Sequence, residues 1–147
     1  IQAAIGRIQL RKLGDWSARR RALAGLLSAG LASLDTLRLT PPPAEIEHAY
    51  YKYYAFLKPE KLRAGWDQQR VIGAINAEGI PCIGGSCSEI YREKAFTGAG
   101  LGPTARLPVA QALGTTSLSF LVHPTLQDAD MRDTCAAVAR VLAIACS

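Results

Sequence analysis

Apolar residues recur at Ile1, Ile5 and Ile8, and again at Leu10 and Leu13, along the opening IQAAIGRIQLRKL. That is the spacing of one helix face. The pattern predicts a long helix running to Ser28 or Leu31, with Gly14-Asp15 as its weak point and Gly30 as a terminator able to take a left-handed backbone. No capping residue precedes it, so the sequence reads as beginning inside a helix, as an excised fragment or a processed chain. TPPPAEIE, from Thr40 to Glu47, cannot continue a helix, because three prolines remove donors and hold the chain extended. It predicts a connector.

HAYYKYYAFLK, from His48 to Lys58, is dense in aromatic and β-favouring residues and predicts a strand. Tyr51, Tyr53 and Ala55 fall on one face and Tyr50, Lys52, Tyr54 and Phe56 on the other, both partly covered. Trp66, Val71, Ile72 and Ile75 then repeat at helical spacing towards a stop at Gly79. After a short strand and a glycine-rich and proline-rich loop, Pro108 opens a short helix over VAQALG. TSLSFLVHP alternates Leu118, Phe120 and Val122 with Ser117, Ser119, Leu121 and His123, which predicts a strand. A last helix carries Met131, Cys135, Val138, Val141 and Leu142, with Thr125 or, better placed, Asp128 as its cap. Helices flanking a sheet of few strands, with two connections too long for hairpins, predict an α/β or α+β sandwich spanning 1–147 as one unit.

The 49% hydrophobic and 20% charged composition is that of a folding chain rather than a disordered one. No apolar run approaches the ~20 residues of a bilayer-spanning helix, and no signal-peptide pattern is present, so a soluble, cytoplasmic protein is expected. Most of the net +5 charge comes from Arg7, Arg11, Lys12, Arg19, Arg20 and Arg21 on the first helix. Such a face reads as solvated surface or a contact with an acidic neighbour, and no nucleic-acid partner is expected. Cys82, Cys87, Cys135 and Cys146 form no Cys-x-x-Cys pair, and His48 and His123 are remote from Cys82 and Cys87. Reduced thiols and no metal site follow.

The chemistry-bearing residues concentrate in GIPCIGGSCSEIYREKAF, from Gly79 to Phe96. Ser86 and Glu89 have the spacing of a capping box, which predicts a helix starting there with amides exposed just after two glycines. Such a terminus can receive an anion, but from composition alone the structural reading is favoured over a site. Neither histidine has a carboxylate or nucleophile at a diagnostic offset, no Walker-type loop is present, and GAGLGP lacks a Rossmann setting. Nothing here makes a self-sufficient catalyst.

Several segments taken in order do resemble one family. IQAAIGRIQLRKLGDWSARRRALA, the prolines and HAYYKYYAF, VIGAINAEGIPC, and TTSLSFLVHPTLQDADMRDTCAAVARVL resemble the C-terminal part of the DegT/DnrJ/StrS pyridoxal-phosphate-dependent sugar aminotransferases. The resemblance implies the small C-terminal domain of a fold-type I aminotransferase. Its large domain would carry the cofactor lysine, the aspartate facing the pyridine nitrogen and the phosphate-binding residues. Lys12, Lys52, Lys58, Lys61 and Lys94 match no such lysine motif, so no catalytic residue is assigned here and no cofactor is expected on this chain alone.

The resemblance further implies a parent enzyme, typically dimeric, moving an amino group from an amino acid such as glutamate to a nucleotide-linked keto sugar for glycan synthesis. IPCIGGSCSEIYREKAF would line the substrate pocket. This sequence has Ser86, Ser88, Glu89 and Tyr91 where the family usually has one or two histidines and a Tyr-Pro segment. Those four are the candidate polar contacts to a hydroxylated or phosphorylated substrate, with His48 and Tyr51 as second candidates. A free-standing binding or regulatory module with the same fold is the alternative from another class, and a basic interaction domain is a third.

Overall fold

A computed structural model describes residues 1–146. Helix α1 spans Gln2–Leu31 without interruption, so Gly14-Asp15 is no break. Gly30 remains helical and does not end α1; it is absent from the glycines at positive φ. Its lack of a side chain serves packing instead: a Cβ there would lie 2.5 Å from Sγ and 3.1 Å from Cβ of Cys135. α1 turns off at Ala32 and feeds a three-residue strand, β1 (Leu37–Leu39), which the hydrophobic pattern was too short to announce.

The proline segment is irregular, as expected, and leads into β2 (Tyr53–Leu57). Helix α2 (Gln68–Ala77) starts at Asp67, whose side chain accepts the Arg70 amide at 2.8 Å. It ends before Gly79, which takes φ +85 while the Ile80 amide reaches back to the Ile75 carbonyl. β3 (Cys82–Ile83), the four-residue α3 (Lys94–Thr97), α4 (Pro108–Thr116), β4 (Ser117–Phe120) and α5 (Asp128–Ala145) complete the chain. The cap of α5 is Gln127, not Thr125 or Asp128. Its amide donates to the Asp130 carboxylate at 2.7 Å, a contact two residues beyond the expected cap.

The four strands form one antiparallel sheet in the order β1-β2-β4-β3. Register explains its two faces. Tyr53 lies opposite Phe120, Ala55 opposite Leu118 and Cys82 opposite Phe120. With Leu37 and Leu57 these residues turn one face into the core, against Leu23, Leu27 and Leu31 of α1, Val71 and Ile75 of α2, and Met131, Val138 and Leu142 of α5. Tyr54, Phe56, Ser117 and Ser119 occupy the other face, since Tyr54 pairs with Ser119 and Phe56 with Ser117. All four residues of β4 are buried, because the strand is central and the loop after β3 covers its second face. The two alternating sets of side chains in β4 are therefore both covered.

The basic cluster on α1 is partly consumed within the fold. Arg19 donates to Asp128 and to the Leu126 carbonyl, each at 2.7 Å, and ties α1 to the start of α5. Arg21 faces Glu47 in the proline segment at 3.5 Å. No helix among the described residues is long and apolar enough to cross a membrane.

Candidate functional site

The loop between β3 and α4 is fixed at its root by buried polar groups. The Gly85 amide donates to Ser117 Oγ at 2.9 Å, and Ser119 Oγ donates to the Gly84 carbonyl at 3.4 Å. Gln68, buried at the start of α2, donates to the Ser117 carbonyl at 2.6 Å. Each group is satisfied by another, which is what permits their burial. A Cβ on Gly85 would lie 2.7 Å from Ser117 Oγ, so the close approach that makes this anchor requires glycine.

Beyond the anchor the chain does not form the helix that Ser86 and Glu89 suggest. Residues 84–89 are irregular and are followed by a single 3-10 turn at Ile90–Arg92. The reason lies outside the local sequence. Glu89 is drawn away by Arg106, whose Nε donates to Oε1 at 2.9 Å and whose Nη2 donates to Oε2. The Tyr91 hydroxyl also donates to Glu89 Oε1, at 2.6 Å, and Arg92 lies 3.6 Å from Oε2. No helix N-terminus therefore faces an anion at Ser86.

Ser86 and Ser88 are left free by this arrangement. Among the described residues neither hydroxyl has a hydrogen-bond partner. Both line a cavity of about 190 Å3 together with Tyr54, Phe56, Gly85, Leu113 and Ser117. On its other side the same serine segment borders a larger, open hollow of about 460 Å3 with Gln68, Gln69, Cys87, Glu89, Arg92, Glu93 and Gly114. Tyr91 faces a third hollow beside Arg92 and Arg106. Ser86, Ser88, Glu89 and Tyr91 thus belong to one loop, but only the serines present unsatisfied polar atoms.

His48 and Tyr51 sit apart from that loop. His48 Nδ1 accepts the Tyr50 amide at 3.1 Å, bracing a residue held at φ 45, and its ring meets Tyr50 edge-on at 4.5 Å. The resulting pocket, about 110 Å3, also contains Thr40, Lys52 and Tyr54. Tyr51 is 78% exposed, with the Lys52 ammonium 5.9 Å from its ring centre. Tyr54 is the residue the sequence reading missed: it lines both the serine cavity and the His48 pocket. Its signal was its place on the strand face opposite the core.

The Glu89 carboxyl is held at about 2, first by the hydrogen bonds from Arg106 and then by that from Tyr91. A carboxyl whose value is lowered on folding contributes stability that is fully present above its ordinary value and lost as pH falls through the lowered one. The Arg106 Nε–H resonance is accordingly expected to keep its hydrogen-bonded position as pH falls through the ordinary carboxylate range and to change only towards about pH 2. A midpoint in the ordinary carboxylate range, followed by proton NMR, would contradict this. Burial pushes the Cys82 thiol up to about 12, and the hydrogen bond from Cys87 to Glu93 raises that thiol too. Neither thiol is poised as a nucleophile or metal ligand.

Lys58 and Lys61 are both paired with Asp35, at 3.2 and 2.8 Å. Lys12 lies over Trp16 on α1, and Lys52 lines a pocket without a carboxylate. Each of these four lysines is either paired with a carboxylate already or has none beside it in its pocket or on its ring partner.

The sequence profile of the DegT/DnrJ/EryC1/StrS aminotransferase family matches residues 1–139. The chain belongs to this family. Among solved structures it is similar to the aminotransferase from Psychrobacter cryohalolentis, with 41% identity and a TM-score of 0.91 over 98% of this chain and 38% of that one. It also shares its fold with S. venezuelae DesV, solved in complex with a ketimine intermediate, at 23% identity and a TM-score of 0.82, over 96% of this chain and 36% of that one. Helicobacter pylori PseC, an aminotransferase involved in the biosynthesis of pseudoaminic acid, gives 16% identity and a TM-score of 0.84, over 97% of this chain and 37% of that one. The chain therefore spans little more than a third of each of these proteins. Its helices and small antiparallel sheet are the small-domain fold of the fold-type I aminotransferases, and the family uses pyridoxal phosphate.

Proposed function

We propose that this chain is the C-terminal domain of an enzyme that transfers an amino group from an amino acid, glutamate in the first instance, to a nucleotide-linked keto sugar. The observation that carries the reading is the family match over residues 1–139 in a chain that spans little more than a third of its solved relatives. The missing portion would hold the cofactor and its lysine. The cofactor supplies the electron sink, while the protein binds and orients the substrate.

The division of labour has support in the exposed part of α1. Ile5, Ile8 and Leu13 are 53%, 46% and 53% exposed, although they belong to the helix whose later turns bury Leu23, Leu27 and Leu31. An apolar stripe of this kind calls for a covering surface, here the cofactor-binding domain. Ser86 and Ser88 are the proposed contacts to sugar hydroxyls, with Tyr54 as the apolar wall beneath them. Glu89 and Tyr91 support the loop, and His48 and Tyr51, which sit apart from it, remain second candidates for substrate contact. A homodimer in the cytoplasm, making precursors of glycans, is the proposed setting.

The assay is 2-oxoglutarate release from glutamate in the presence of nucleotide-linked keto sugars. The protein carrying this chain is expected to turn over with at least one of them, and residues 1–147 alone are expected to show none. Turnover by the isolated chain would overturn the reading.

A further inference from the structure

We propose that Glu89, Tyr91 and Arg106 are positioning residues for acceptor selection, holding α4 against the serine loop so that the cavity between them keeps its width. This rests on the reading of Ser86 and Ser88 given above. No residue of helix α4 is fully buried, and apart from its direct run into β4 at Ser117 its hold on the sheet is the half-buried Leu113 beside Tyr54 and Phe56. Yet Leu113 closes the cavity of Ser86 and Ser88, and a Cβ at Gly114 would collide with Ser88 Oγ. Where α4 sits therefore decides the size of the cavity.

The only side-chain hydrogen bond to the entry of α4 among the described residues comes from this trio. The Leu107 amide, at the N-cap position, donates to the Tyr91 hydroxyl at 3.0 Å, while that hydroxyl donates to Glu89 at 2.6 Å. Arg106, immediately before Leu107, grips both oxygens of Glu89 through its fork. Two successive residues at the head of α4 are thus fastened to the segment that presents the serines. Glu89 acts through the helix and not on the ligand, since its oxygens already face Arg106, Tyr91 and Arg92.

The test uses the full protein carrying this chain, with Arg106→Met, Arg106→Lys and Tyr91→Phe. Amide exchange is measured without substrate, and steady-state kinetics with glutamate and the keto-sugar acceptor. In Arg106→Met and Tyr91→Phe the amides of Leu107 and of residues 111–114 are expected to exchange about tenfold faster or more, the effect of losing one charge-assisted hydrogen bond, with α5 unchanged. In Arg106→Met the KM for the acceptor should rise by a similar factor, while kcat and the KM for glutamate stay within about twofold. Arg106→Lys, which keeps the charge and loses the fork, should fall between wild type and Arg106→Met.

Unchanged exchange at Leu107 and over 111–114 in both Arg106→Met and Tyr91→Phe would overturn the proposal, as would a loss confined to kcat. The exchange result does not depend on turnover. If the wild-type protein transfers no amino group, the functional reading fails, and exchange still decides whether the clamp holds α4.

Discussion

Phe120→Ala is expected to destabilise the chain by about 3–5 kcal/mol, the cost of deleting a large aromatic side chain from a core that cannot close behind it. Phe120 is 1% exposed on the central strand, opposite Tyr53 on one neighbour and Cys82 on the other. Strands on both sides fix the backbone, so the cavity has little freedom to collapse. Urea denaturation of wild type and variant measures the loss, and a chain of this length should melt on the order of 10 °C lower or more. Phe120→Leu keeps much of the volume and should cost less than half as much. A loss of under about 1 kcal/mol for the alanine variant would mean that the core is not organised around β4.

The second large effect is expected at Gly30. Any side chain there enters the space of Cys135, with Sγ 2.5 Å and Cβ 3.1 Å from the position a Cβ would take. Gly30→Val should cost about 2–3 kcal/mol, because two helices packed along their backbones must separate or bend, and the branched side chain has little rotamer freedom to evade the contact. Removing the sulfur partly relieves the overlap. Gly30→Val with Cys135→Ala should therefore recover a good part of the loss, although the 3.1 Å contact with Cβ remains. Strict additivity of the two changes in a denaturation cycle would show that the glycine is not there for the close approach.

These two positions also show what a sequence can and cannot disclose. Phe120 alternates with serines in TSLSF, and its burial could be read directly from that period, as could α1, α2 and α5 from their longer one. Gly30 near the end of a helix looks like a terminator, and only the presence of α5 across from it gives its real role. β1 has three residues and leaves no period to detect.

The site shows the same division. That the loop from Gly84 onwards gathers the candidate polar groups was visible in its serines, acid and tyrosine. The helix expected at Ser86 was not formed, because an arginine 17 residues beyond Glu89 competes for the carboxylate that a capping box would use. Local patterns hold until a distant partner binds one of their members more strongly. Tyr54 was hidden for a related reason: its strand was legible, but the loop that makes its outward face a pocket wall comes from elsewhere in the chain.

The central claim is that this chain forms one wall of a pyridoxal-phosphate enzyme whose cofactor lysine lies outside it. The direct test is to load the protein carrying this chain with pyridoxal phosphate, reduce with borohydride and map the labelled peptide by mass spectrometry. The account predicts one labelled lysine, outside residues 1–147. A label on Lys12, Lys52, Lys58, Lys61 or Lys94, or no label at all, would contradict it; with no label, the loop at Ser86 and Ser88 would belong to a binding module instead.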